Sequence, residues 1–223
     1  MNIGNFEFLK ASKIAVSLLS TGLDSPVATY LIMRQGYNCV GLSFLNGGQK
    51  SSINKTKIIA IGQRIIQLTG GKMRLHFVDY DKILEKLKNA GESKYTCILC
   101  KRTMLMAAEH LSNLYSADII INGDILGEQA SQTIDNLVVV NQIVKKIPII
   151  RPLIGFDKLD IIKISQKTGL YQLSLMDNVA CEFNPIHPET RGKIDEILKV
   201  EENLNRKILL TDIIDSIEYI DLE

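Results

Sequence analysis

No run of about eighteen uncharged apolar residues occurs in the chain, which excludes an ordinary membrane-spanning helix. The first residues, Met1-Asn2-Ile3-Gly4-Asn5-Phe6-Glu7, lack a basic stretch followed by an apolar one. No secretory signal is therefore visible, and a cytoplasmic protein without a membrane partner is expected. Neither sign of charge is in excess: 26 Lys and Arg stand against 25 Asp and Glu, for a formal net charge of +1. Any nucleic-acid contact must come from a local basic patch rather than from overall charge. The three histidines, His76, His110 and His187, are too scattered to argue a Ser/His/Asp triad. Gly-Lys-Ser/Thr is missing, which argues against a Walker A loop, and so is the dinucleotide pattern G-x-G-x-x-G. Tryptophan is absent while isoleucine and lysine abound, and no function follows from either.

What is present is the composition of a soluble globular protein: 223 residues, 46% hydrophobic and 23% charged. Apolar β-branched runs alternate with longer amphipathic ones. Strands are predicted at Lys13–Leu19, Asn38–Phe44, Met73–Val78, Asp118–Asn122 and Pro148–Ile150. Helices are predicted near Ser25–Gln35, Ile53–Leu68, Tyr80–Asn89, Lys101–Tyr115, Gly127–Leu137 and Lys158–Thr168, with ends marked by Gly36, Gly70-Gly71 and Gly169. The alternation predicts an α/β fold, a parallel twisted sheet with helices on both faces. A charged helix is expected over residues 191–207. The tail beyond it, with Ile208, Leu209, Leu210, Ile213 and Ile214, is expected to pack back on the same domain. Gly47-Gly48-Gln49-Lys50-Ser51-Ser52 forms a polar loop expected near the ligand.

Ligands of such sheets bind beyond the carboxyl ends of the strands. Ser20-Thr21-Gly22-Leu23-Asp24-Ser25-Pro26 falls there, between the first strand and the first helix. Free N–H groups at a helix start attract an anion such as phosphate, and the hydroxyls add donors. Asp24 suits such a cradle if a cation such as Mg²⁺ accompanies the phosphate. Ser and Asp are equally ordinary N-caps, and Pro is common at a helix start. Gly123-Asp124 and Arg151-Pro152 follow the fourth and fifth strands on the same edge.

Of four cysteines, Cys39 lies within a strand and reads as a small buried apolar residue. Cys97 and Cys100 form a C-x-x-C at a helix start beside Lys101-Arg102, where dipole and cations lower a thiol pKa. Lys101 and Arg102 are themselves candidates for contact with RNA or with the thiolates, or simply a solvated face. Cys181 sits in a loop-like stretch before several prolines. By spacing, a metal or cluster site and a redox pair both fit. A structural zinc site would lack a fourth ligand unless His187 supplied it.

Longer blocks carry a resemblance. Ser20–Pro26, Lys101–Met104, Gly123–Thr133 and Arg151–Lys158, then Cys181 and Pro188-Glu189-Thr190, stand in the order of the family pattern S-G-G-x-D-S-P, K-R-x-M, T-G-E-x-L-G-Q-x-x-S-Q-T, R-P-L-I-x-x-D-K, Cys and P-x-T. Over residues 11–190 the chain resembles the PP-loop ATP pyrophosphatase domain of the ThiI family of tRNA 4-thiouridine synthetases. No THUMP or rhodanese segment is visible.

The resemblance implies a PP-loop (adenine nucleotide α-hydrolase-like) domain over 1–190, with residues 191–223 packing on it. It also implies an ATP-dependent sulfurtransferase that adenylates a uridine carbonyl and replaces its oxygen with sulfur. Ser20, Thr21, Gly22, Asp24, Ser25, Gly123, Gln132 and Arg151 would bind ATP, with Mg²⁺ at Asp24. Asp24, Lys158 and Cys181 would be catalytic. Cys97, Cys100 and Cys181, spaced C-x₂-C-x₈₀-C, would hold an iron–sulfur cluster with one open iron, or Cys181 alone would carry a persulfide. Implied partners are tRNA, a sulfide or persulfide donor, and a separate RNA-binding protein or a second copy of the chain. The alternatives are a PP-loop ligase that adenylates another substrate, or a non-catalytic ATP-binding subunit. Three positions depart from the pattern: Thr21 stands for Gly, Asp124 for Glu and Glu128 for Gln. A positive φ at Thr21 would strain it.

Overall fold

The computed structural model describes residues 13–177 and 179–222. The Met1–Glu7 stretch lies outside them. All five predicted strands form, as β1 (Lys13–Leu18), β2 (Tyr37–Leu45), β3 (Met73–Asp79), β4 (Ile119–Ile121) and β5 (Ile149–Ile150). Their order across the sheet is β5-β4-β1-β2-β3, every pair parallel. A sixth strand, β6 (Glu218–Leu222), was not expected and runs antiparallel to β3 at the far edge. It closes an edge that would otherwise present unpaired N–H and C=O groups.

Alternation along the strands feeds two cores. Ile14, Val16, Val40 and Leu42 face one side, under α3 (Asp81–Asn89), α4 (Thr96–Tyr115), α8 (Ile194–Glu202) and α9 (Arg206–Asp215). Ala15, Cys39, Met73 and Leu75 face the other, under α1 (Asp24–Met33), α2 (Ser51–Thr69), α6 (Lys158–Thr168) and the short α7 (Leu170–Ser174). Cys39 is fully buried and its thiol pKa is pushed up to about 12 by that burial, as suits an apolar filler. Gly70 and Gly169 end α2 and α6 in the left-handed conformation, at φ 66° and 74°.

Three elements differ from the sequence reading. Helix α4 begins at Thr96 rather than near Lys101, so the C-x-x-C lies inside its first turns. No helix starts at Gly127, whose φ of 74° breaks it. A short 3₁₀ turn at Ala130–Gln132 follows, and α5 (Ile134–Asn141) starts only after Thr133, whose Oγ1 accepts from Asn136 N–H at 3.3 Å. The helix expected over 191–207 breaks at Asn203–Asn205 into α8 and α9, because Asn205 caps the second of them.

Going from β3 to β4, the chain crosses to the other side of β1. Beyond the C-terminal ends of the paired strands β1 and β4 the connections lead away in different directions, and a cleft opens there.

Candidate functional site

The turn from β1 into α1 is folded by its own hydroxyls. Ser25 Oγ accepts from the Ser20 N–H at 2.8 Å and meets Ser20 Oγ at 2.9 Å. Thr29 Oγ1 donates to the Ser25 carbonyl at 2.7 Å and meets Ser17 Oγ, which ties the helix start to the strand. The ordinary capping arrangement is absent: no side chain caps α1, and Pro26 is its third residue. The helix start is left open for an external anion. Neither Thr21 nor Gly22 has a positive φ, so Thr21 is accommodated without the strain considered from sequence.

Gly123 comes over this turn from the end of β4. A Cβ there would stand 2.7 Å from Ser25 Cα and 2.8 Å from Ser25 N, so only glycine permits the approach. Ser20, Gly22, Asp24, Ser25, Gly123 and Gln132 all line one cleft of about 280 Å³.

Two charged groups frame the cleft. At its mouth Lys158, the first residue of α6, donates to both Asp24 oxygens at 2.8 and 3.0 Å, and pairs with Glu128 at 3.2 Å. Burial opposes the lysine charge, but Asp24 and Glu128 outweigh it and hold its pKa above the ordinary value. Asp157 caps α6 by accepting from Leu159 N–H at 2.8 Å, and so sets the helix start that presents Lys158. On the inner wall Asp124, 2% exposed, receives Lys101 at 2.6 Å, Arg151 at 3.0 Å and the Gln132 amide at 3.2 Å. Arg151 also reaches Asn141. Thus Arg151 sits behind the wall as a brace for Asp124, and Lys101 lines the cleft. Arg102 is neither an RNA contact nor a thiolate partner: it is buried, paired with Glu201 at 2.8 Å and donating to the Val139 carbonyl.

Cys97, Cys100 and Cys181 lie in one neighbourhood near Lys101. Cys97 Sγ lies 3.8 Å from Asn184 Oδ1, so the first turn of α4 abuts the segment that carries Cys181. Cys97 and Cys100 are half-buried and Cys181 is exposed. The helix start and cations do not win here. Burial raises the Cys97 thiol, with negative charge at Cys181 adding to it and Lys101 opposing. Burial pushes Cys100 up to about 12, against a hydrogen bond with Tyr80; Cys181 and Cys97 add to the rise. The three thiols thus share one neighbourhood, yet among the described residues no three side chains are gathered at metal-ligand spacing. The Gly47–Ser52 loop does not line the cleft: Gly47 and Gly48 N–H groups bind Asp81 at 3.0 and 2.7 Å, and Gly47 lies against Val179.

Sequence reasoning missed Glu128 as a second carboxylate on Lys158 and undervalued Asp124 as the hub for three side chains. It missed Asn46, Asn54 and Lys57 altogether. No motif spacing marks these; only the crossover that brings distant loops to one edge does. No helix among the described residues is long and apolar enough to cross a membrane.

Comparison with known proteins agrees with this construction. The family model for "Thiamine biosynthesis protein (ThiI)" matches residues 10–206. A protein of Methanocaldococcus jannaschii named "Probable tRNA sulfurtransferase" is 39% identical over 193 residues, covering 84% of this chain and 49% of that protein. One of the same name from Thermococcus kodakarensis is 38% identical over 188 residues, covering 83% and 48%. The chain therefore spans about half the length of the curated relatives it matches. A solved 4-thiouridine synthetase–RNA complex with bound ATP superposes with a TM-score of 0.87 at 29% identity, covering 95% of this chain and 55% of that one. An NMN synthetase from Francisella tularensis, at 14% identity and TM-score 0.54, shares the fold alone. The chain belongs to the ThiI family.

Proposed function

We propose that this chain is the ATP-activating and sulfur-transferring part of a tRNA sulfurtransferase that makes 4-thiouridine. The observation that carries the reading is the junction of two features. An uncapped helix start, bounded by the Asp24–Lys158 pair, lies near Lys101, which lines the same cleft and is electrostatically coupled to Cys97 and Cys100, as is Cys181. The solved relative with ATP and RNA supports the choice of nucleotide and substrate.

The chemistry divides between the two places. In the cleft, Ser20, Gly22, Ser25 and the backbone of the loop receive the phosphates, with Thr21 beside them. Lys158 neutralises charge on the phosphate chain, and Asp24 orients Lys158 and receives the Mg²⁺ that accompanies ATP. Gly123 and Gln132 shape the opposite wall, held by Asp124 and Arg151. The uracil O4 attacks the α-phosphorus, pyrophosphate leaves, and the N3 proton passes to water. Hydrosulfide then adds to C4, AMP departs with the original oxygen, and the S–H proton is lost to water as N3 takes one back, which gives the thione. No electron is exchanged with an external reagent.

Cys97, Cys100 and Cys181 would hold an iron–sulfur cluster. Three soft thiol donors with no carboxylate among them suit that group, and a cationic iron offsets the burial that keeps Cys97 and Cys100 protonated. When bound, such a cluster supplies an open iron that accepts sulfide. A persulfide carried by Cys181 is the competing form, favoured by its exposure. Residues 1–190 would form the catalytic unit and 191–223 its packed extension. RNA grip is assigned to the remaining length of the relatives, to a separate protein or to a second copy of the chain.

The test is an anaerobic reaction of the chain with tRNA, sulfide and ATP. AMP and pyrophosphate should form in step with 4-thiouridine, and brown protein with bound iron is expected. ADP and phosphate as products would overturn the adenylation. Colourless, iron-free protein that still thiolates from sulfide would remove the cluster, with hydrosulfide attacking the adenylate directly. A Cys181 carrier would instead need a persulfide donor in place of sulfide, its outer sulfur leaving as a second cysteine closes a disulfide with Cys181.

A further inference from the structure

Helix α2 turns one face to the core through Ile58, Ile61 and Ile65, yet two polar residues share its buried surface. Asn54 is 4% exposed and Lys57 is 1% exposed. Buried polar groups are hydrogen-bonded, and where their bonds go tells what they hold. Lys57 Nζ donates to the Ser174 and Met176 carbonyls, both at 2.8 Å. Asn54 makes a two-way clasp on one residue: its Nδ2 donates to the Val179 carbonyl at 3.1 Å, and its Oδ1 accepts from the Val179 N–H at 2.9 Å. From the end of β2, Asn46 Nδ2 donates to the Ala180 carbonyl at 3.1 Å. Gly47, at φ 98°, lies against the Val179 side chain, where a Cβ would fall 2.5 Å from Val179 Cγ1.

The Asn54 and Asn46 bonds converge on Val179 and Ala180, immediately before Cys181, on residues that lie in neither helix nor strand. An exposed cysteine on an unanchored loop would sample many positions, at an entropic cost to any step that needs it next to a second thiol. The clasp removes that freedom two residues from Cys181, while Cys97 touches Asn184 three residues beyond it.

We propose that Asn54 is a positioning residue for sulfur transfer, clasping Val179 so that Cys181 stands beside the Cys97–Cys100 pair, with Asn46 as a second anchor at Ala180. The inference rests on the reading that these three cysteines act together. It adds the device that assembles them.

The test is thiol–thiol cross-linking of the full chain, kept reduced and free of metal by a chelator, in a Cys39→Ala background. A dibromobimane reagent that bridges only neighbouring thiols is used, and the Cys181–Cys97 and Cys181–Cys100 products are measured by mass spectrometry. Asn54→Ala should slow cross-linking by about fivefold or more, the scale expected for losing one buried hydrogen-bonding group. Asn54→Asp, which keeps the acceptor for Val179 N–H, should recover part of the rate, and Asn46→Ala should show a smaller loss. In the thiolation assay, Asn54→Ala should lower 4-thiouridine formation with ATP affinity unchanged. If Asn54→Ala does not fold, Asn54→Asp and Asn46→Ala decide the matter. Cross-linking of Asn54→Ala within about twofold of the parent overturns the proposal, and where that variant does not fold, parent-level rates in both Asn54→Asp and Asn46→Ala overturn it. Cross-linking needs neither ATP nor tRNA. A chain that forms no 4-thiouridine yet cross-links in an Asn54-dependent way would therefore sink the sulfurtransferase reading and leave the clasp standing.

Discussion

Gly123 and Glu128 show how much of the cleft depends on single atoms. A methyl group at Gly123 would be driven into the backbone of Ser25 and the Asp24 carbonyl carbon, at 2.7 to 3.1 Å, none of which can rotate away. Gly123→Ala is therefore expected to cost about 1–3 kcal/mol of stability and to weaken ATP binding by more than about tenfold, because about 1.4 kcal/mol of misfit at the phosphates suffices. Urea unfolding and nucleotide titration check the two effects separately. Glu128 adds a second negative charge beside Lys158, where the family pattern has an amide. Glu128→Gln should lower the Lys158 pKa towards its ordinary value and tighten ATP binding by about three- to tenfold, the size of a partly exposed charge interaction. Calorimetric titration at two salt concentrations would show the gain shrinking as salt rises. Thr21 was legible as a departure but not as harmless, since only the backbone shows that no positive φ is needed there.

At the level of elements, buried ion pairs hold the later helices and the last strand. Arg102 of α4 and Glu201 of α8 pair at 2.8 Å with side chains 2% and 8% exposed, and Arg206 joins them. Glu201→Ala strands the Arg102 charge and should cost about 3–5 kcal/mol, read as a fall in the urea midpoint. On the other edge, Arg74 of β3 pairs with Asp221 of β6 at 2.5 Å, and His76 lies 2.7 Å from the Tyr115 hydroxyl. Burial, then the Arg74 charge, depresses the His76 pKa from 6.5 to about 4, with Asp221 opposing. The unfolded chain thus binds a proton that the folded chain refuses between those values. Stability from this group is present above pH 6.5 and is lost as pH falls towards 4, by about 3 kcal/mol in total. Chemical denaturation across this range should show the decline, and His76→Gln should flatten that part of it. The sequence signalled the strands β1 to β5 through unbroken β-branched runs. It did not signal β6, because Glu218-Tyr219-Ile220-Asp221-Leu222 is a short polar edge whose pairing depends on Arg74, about 150 residues away in the chain. The start of α5 was misplaced because Gly127 reads equally as a helix start or as a turn, and only its left-handed φ decides.

For the whole molecule, the topology brings four separated blocks to one sheet edge, and their order along the chain was readable before their geometry. Ser20–Ser25, Lys101, Gly123–Gln132 and the Arg151–Lys158 block fall around the ends of β1 and β4, as a ligand-binding switch point requires. What stayed hidden was the division of labour among the cations. Lys158 faces Asp24 at the mouth, Arg151 braces Asp124 from behind, and Arg102 is sealed in the core. Each is one basic residue in a motif, and burial alone separates their roles. The C-x-x-C was legible at a helix start, but burial raises the Cys97 and Cys100 thiols where the helix start was expected to lower them. Mass spectrometry of tRNA nucleosides is the most direct test that this site activates and thiolates tRNA. Cells lacking the gene should lose 4-thiouridine, and the wild-type gene should restore it while Asp24→Asn and Lys158→Met do not. Unchanged 4-thiouridine without the gene, or full restoration by both variants, would contradict it.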